Sequence, residues 1–137
     1  METLIIVFVG GMAAIAFSFA LLHRSAKKER ERQRESSDQA TAIYRKFAEA
    51  FEKTGWPAWG YATHLSPEQR SRMEKGIYSE RMRLLSYDSE MHTACVLGEH
   101  GMAYDIDGSG CSCLDFRKRG LPCKHMYFAV IAISDDF

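Results

Sequence analysis

The sequence predicts an α+β chain: an N-terminal transmembrane helix, helical segments, then a small antiparallel β-sheet leading into a cysteine-bearing strand–loop–helix. Three observations predict it. No charged residue lies between Thr3 and Leu22. Apolar residues recur at helical spacing from Ala40 to Phe51, then give way to alternation after about Met82. All four cysteines lie beyond position 90, and three fall within the thirteen residues from Cys111 to Cys123.

The run LIIVFVGGMAAIAFSFALL is apolar on every face, with Ser18 its one polar interruption. Twenty residues at about 1.5 Å rise cover about 30 Å, the hydrocarbon thickness of a bilayer. A cleaved signal peptide wants a basic start, a shorter apolar core and a small-residue cleavage site. Here Glu2 precedes the run, and Arg24, Lys27, Lys28, Arg30, Arg32 and Arg34 follow it. That order predicts a retained single-pass anchor with its N-terminus outside and the rest of the chain cytosolic. Gly10, Ala14 and Ser18 recur every fourth residue, a small-residue seam that offers a face for homo-oligomerisation, although small residues are frequent in such spans.

His23 to Glu35 reads HRSAKKERERQRE, interleaved charge that suits a solvated helix and contact with anionic headgroups. Ser36 and Gln39 are spaced as a capping box, which predicts a new helix carrying Ala40, Ile43, Tyr44, Phe47, Ala48 and Phe51 on one face and stopped by Gly55 and Pro57. One rod continuous with the apolar run is equally compatible with the pattern. Trp56, Trp59 and Tyr61 are expected to pack under a loop. Ser66-Pro67-Glu68-Gln69 marks another helix start. That helix carries Arg70, Arg72 and Lys75, and Gly76 is expected to end or bend it. Short strands follow around Arg83–Tyr87, Thr93–Leu97 and Met102–Ile106, with Met102, Tyr104 and Ile106 on the inward side and glycine-containing turns at 98–101 and 108–110.

Charge narrows the function. The chain has 137 residues with 18 Lys+Arg and 18 Asp+Glu. Six of the basic residues lie in Arg24–Arg34, leaving 12 elsewhere; four of the acids lie at or before Glu35, leaving 14 beyond it. A nucleic-acid role therefore needs a local patch rather than a global field.

The chemistry concentrates in CSCLDFRKRGLPCKH, Cys111 to His125. Cys111, Cys113, Cys123 and His125 supply three thiolates and one imidazole, a complete tetrahedral set for one structural Zn²⁺. Residues two apart on a strand point the same way, so Cys111 and Cys113 face one ion. On a helix they diverge by about 200°, so Cys123 belongs at the helix start and His125 in its first turn, an arrangement that Pro122 favours. A disulfide would give His125 no role. Cys95 is read as a core thiol; His64, His92 and His100 are read as ordinary surface or turn residues.

CSC followed by PCKH resembles the SWIM-type zinc fingers, whose signature is Cys-x-Cys, a spacer, then Cys-x-His on a strand–loop–helix frame. The likeness covers roughly the last third to half of the chain, and its four ligands are its specific part. It implies a zinc-bound strand–loop–helix and binding of nucleic acid or protein. The organisation expected is residues 1–22 as anchor, 23–35 as basic juxtamembrane linker, and 36–137 as a cytosolic SWIM-like zinc domain with the finger proper over about 92–134.

Four protein ligands leave no open position for a catalytic water. Neither a nucleophile–base pair nor a phosphate-binding glycine loop is present in the sequence, so no enzyme is expected. Two roles compete: a membrane-anchored interaction or scaffolding module for a protein partner, and a membrane tether for DNA or RNA. Arg117, Lys118, Arg119 and Lys124 lie between or beside the ligand pairs. They are candidate phosphate or partner contacts, with Phe116 able to stack on a base. Alternatively they offset the net −1 charge of zinc with three thiolates, and Phe116 simply covers the site.

Overall fold

A computed structural model describes residues 2–56, 59, 63–64 and 66–135, with side chains from Leu21 onward. The chain divides into two compact units, Met1–Gln39 and Ala40–Phe137. Helix α1 is assigned over Glu2–Thr54. It runs through Ser36–Gln39, so no separate helix begins at the expected capping box.

The expected N-terminal transmembrane helix, and the single-pass placement that rested on it, are corrected here. Among the described residues no helix is long and apolar enough to cross a membrane. A span needs about 20 consecutive apolar residues, and of the run from Thr3 to Leu22 only Leu21 and Leu22 have side chains among the described residues. From Leu21 to Glu35 every side chain is exposed, with Lys27 and Glu31 paired at 3.9 Å one turn apart. The side chains of Gly10, Ala14 and Ser18 lie outside the described residues.

In the second unit the remainder of α1 buries Ile43, Phe47 and Ala50, and Ala48 faces solvent. Gly55 ends the helix: it adopts φ +62 and donates to the Phe51 carbonyl at 3.0 Å, the left-handed cap that glycine takes without penalty. Trp56 is buried and stacks on Tyr87, and Trp59 Nε1 donates to the Gly108 carbonyl at 3.1 Å. Both tryptophans thus pack as expected; Tyr61 lies outside the described residues.

Helix α2 spans Pro67–Ile77, capped by Ser66, whose hydroxyl accepts from Gln69 N at 3.2 Å. Gly76 is the next-to-last residue of α2, close to the expected end of the helix. A Cβ there would meet the Lys124 carbonyl at 2.5 Å and Tyr127 Cβ at 2.8 Å, so this glycine is where α2 closes against the C-terminal helix.

Strands β1 (Arg83–Asp88), β2 (Thr93–Leu97) and β3 (Ala103–Ile106) form an antiparallel sheet in the order β1-β2-β3. In register, Val96 faces Leu84 and Tyr104, while Cys95 faces Ser86 and Asp105 on the opposite side. An irregularity between Leu84 and Ser86 leaves Leu85 outside the pairing and 53% exposed, a bulge of the kind that blunts an edge strand. Met102 is exposed rather than inward because β3 begins one residue later; its carbonyl accepts from Gly98 N at 2.7 Å to close the turn.

Two short helices complete the chain, α3 (Leu114–Arg119) and α4 (Lys124–Asp135). The sequence reading had α3 as loop. Helix α4 packs across all three strands and against α2. Its Met126, Tyr127, Ala129, Val130 and Ile133 are fully or almost fully buried, which makes it the centre of the core. The α+β class and the small antiparallel sheet are as the sequence predicts.

Candidate metal centre

Each ligand is placed by a local device. After β3, Asp107 turns the chain: its Oδ1 accepts from Ser109 N at 2.7 Å, Ser109 Oγ at 2.6 Å and Gly110 N at 2.8 Å. These bonds, the Ser109 hydroxyl's foremost, hold its carboxyl below the usual range. The chain then returns along β3. Cys111 pairs with Ile106, Ser112 N donates to the Asp105 carbonyl at 2.9 Å, and Asp105 N donates to Ser112 Oγ at 3.0 Å. Ser112 is exposed while Cys111 and Cys113 are buried, the two-residue alternation that lets both cysteines face one point.

Cys113 is also the N-cap of α3, and its Sγ accepts from Phe116 N at 3.4 Å. An N–H donated to sulfur favours the thiolate. Gly120, at φ +65, ends α3 and lets the chain turn toward Cys123. Cys123 immediately precedes α4 and its carbonyl accepts from Met126 N at 3.1 Å, which leaves His125 in the first turn.

The structure brings the four predicted ligands together. One ligand atom from each of Cys111, Cys113, Cys123 and His125 lies within 4.8 Å of all the others, and all four residues are buried. Cys123 Sγ and His125 Nδ1 are 3.7 Å apart. Zn–S of about 2.3 Å and Zn–N of about 2.0–2.1 Å imply a tetrahedral S···N edge of about 3.5 Å.

The electrostatics suit a dication. Cys123 is pushed down to about 4, chiefly by the hydrogen bond from Cys111, with help from His125 and the Met126 N–H against the cost of burial. Cys111 is pushed up by that same bond and by burial, and Cys113 is pushed up chiefly by burial. Three buried thiolates repel one another, and a metal ion supplies the charge that lets all three ionise. The donor set therefore fits one structural zinc ion.

Of the basic candidates, two are engaged internally. Arg119 grips Asp115 through Nε and Nη2, both at 2.7 Å, and donates from Nη1 to Gln69 Oε1 at 3.1 Å. Arg72 reaches the same carboxylate at 3.3 Å, so Asp115 ties α3 to α2. Lys124 pairs with Glu99. Arg119 also lies close enough to Cys123 and Cys113 to sense their charge. Arg117 and Lys118 remain exposed. Phe116 is half-buried, packed against the core and against Gly110, where a Cβ would overlap its ring.

Two other expectations change. Cys95 is only half-buried, and desolvation, with the neighbouring Asp105, pushes its thiol up. His64 is buried, its Nδ1 2.6 Å from the Tyr127 hydroxyl. His92 stands in the turn between β1 and β2, as expected, with φ +49. Gln69, Gly98, Tyr104 and Asp115 surround the ligands without being legible as site residues. Their signals were structural: Gln69 belonged to a helix start, Tyr104 to the inward side of a strand and Gly98 to a turn.

The class of protein defined by this fold and site is a zinc-binding module. Residues 94–134 match the family model of the SWIM zinc finger. Neither the curated proteins nor the solved structures include a significant match to the chain.

Proposed function

We propose that the chain is a non-catalytic zinc module that binds a protein partner through the loop between its two ligand pairs. One observation carries this reading. Arg119 and Lys124 are spent on Asp115 and Glu99, and what faces solvent is mixed. Leu114, Arg117 and Lys118 stand three and four apart on α3, where side chains share a face, and Leu121 follows the turn. Leu114 is 60% and Leu121 40% exposed. A mixed apolar and cationic patch suits a protein surface.

An open groove of about 680 Å³ along the sheet supports the same reading, because Asp88, Asp105 and Asp107 line it and carboxylates repel nucleic-acid phosphates. With four protein ligands the zinc has no open position for substrate. Of the four basic candidates around the ligands, Arg117 and Lys118 are the two left exposed for a DNA- or RNA-binding role.

The test is a titration of the zinc-loaded protein with labelled DNA and RNA at low and physiological salt, beside photo-crosslinking from position 121. The proposal expects no salt-sensitive nucleic-acid complex, and a protein adduct that disappears in a Leu114→Ala/Lys118→Ala variant. Salt-sensitive binding that a folded Arg117→Ala/Lys118→Ala variant loses would replace it with the nucleic-acid role.

A further inference from the structure

His125 has two ring nitrogens, and they face different surroundings. Nδ1 lies 3.7 Å from Cys123 Sγ, near the separation a shared tetrahedral zinc imposes. Nε2 faces the β2–β3 turn, where a Cβ built on Gly98 would sit 3.3 Å from it. Tyr104 lies along the imidazole face, with ring centroids 4.3 Å apart and planes 28° from parallel.

Gly98 makes this arrangement possible. The same Cβ would lie 2.7 Å from Tyr104 Cε2, closer than carbon atoms approach without displacement. Conformational freedom does not explain this glycine: it is not among the positive-φ residues, whereas Gly101 in the same turn has φ +77. Its backbone is pinned on both sides, by Gly98 N to the Met102 carbonyl at 2.7 Å and by Gly101 N to the Gly98 carbonyl at 3.0 Å. An added methyl therefore has to move Tyr104 off the imidazole or rotate the imidazole off its line to the sulfurs.

We infer that His125 holds the metal through Nδ1, and that Gly98 and Tyr104 are positioning residues that select that nitrogen. The tyrosine ring fixes the plane of the imidazole and the bare Cα gives both rings room. Neither residue touches the ion; each acts through His125, as outer-shell partners of metal-bound histidines do.

The experiment uses the full chain loaded with zinc. Long-range proton–nitrogen correlation spectra of His125 are expected to give a metal-bound Nδ1 and a protonated Nε2; metal on Nε2 overturns the inference. Chelator competition then tests positioning. Tyr104→Phe keeps the ring and is expected to hold zinc like the native chain. Tyr104→Leu and Gly98→Ala are expected to weaken zinc by about 10- to 100-fold, the range for outer-shell partners. At saturating zinc Gly98→Ala is expected to give a mixture of Nδ1- and Nε2-bound spectra, which a purely structural role would not produce. Native affinity in Tyr104→Leu overturns the positioning role. The Tyr104 pair decides where Gly98→Ala does not fold, because shortening a half-buried ring leaves space instead of overlap.

Discussion

The two halves of the zinc site are held by different means. Cys111 and Cys113 ride on an extended segment fixed to β3 by a few backbone and serine hydrogen bonds, and the six-residue α3 that follows buries none of its side chains. Cys123 and His125 open α4, whose apolar residues fill the core. Isolated helices need about 12–15 residues to be even marginal in water, and α3 has neither that length nor a buried face. The first half therefore depends on the metal for its shape, while the second is shaped by the core and offers its ligands ready-placed.

Removing the zinc is the strongest way to break that comparison. Chelation, or Cys123→Ser, is expected to withdraw stabilisation on the order of 10 kcal/mol, as in zinc-finger peptides. Hydrogen exchange should lose protection first between Asp107 and Leu121, with α4 the last to open. Simultaneous loss in both regions would mean that the core does not hold α4 without metal. A smaller effect comes from the second half. Gly76→Ala places a methyl against the Lys124 carbonyl and Tyr127 Cβ, overpacking that costs about 1–3 kcal/mol. Thermal unfolding should fall accordingly, with one zinc still bound at saturation. An unchanged midpoint would show that α2 and α4 separate at little cost.

The same contrast explains what was legible in the sequence. Cys111, Cys113, Cys123 and His125 were readable because tetrahedral coordination dictates residue type and spacing together. β2 was placed to the residue and β1 and β3 within one, because alternation and turn glycines bound them. α3 was hidden because its cap is a zinc ligand, Cys113, and not one of the usual polar caps. Gly76 and Gly98 were read as breaks, and α2 does end at Ile77 and a turn does follow Leu97, but each glycine also makes room for α4 or for His125, which local pattern cannot reveal. Arg119 and Lys124 looked like part of a basic patch until the fold brought Asp115 and Glu99 to them. The apolar N-terminal run was read as a span from its length, its lack of charge and the basic residues after it, and among the described residues no helix supports that reading.

Two smaller changes sharpen the account of the first half. Ser112→Ala removes the acceptor for Asp105 N, a bond worth about 0.5–1.5 kcal/mol. It should raise exchange at Asp105 and Ser112 while leaving α4 untouched; equal acceleration in α4 would mean that the halves are not separable at this level.

Asp115 is expected to have the least effect, because it is partly exposed and solvent screens its ion pairs. Arg119 foremost, and Arg72 with it, holds its carboxyl below the ordinary range against some desolvation. A carboxyl lowered in the folded state contributes stability that is complete above its unfolded value and is lost as pH falls through its lowered folded value. Acid titration should therefore loosen the tie between α3 and α2 only below the ordinary carboxylate range, with zinc release by cysteine protonation following the thiols and not this group. Carbon-13 titration of the Asp115 carboxyl in the native chain and in Arg119→Gln checks the cause. The midpoint should rise toward the ordinary value in the variant. An unmoved midpoint would shift the main role to Arg72, and the first half would then be braced from α2 more than from within its own loop.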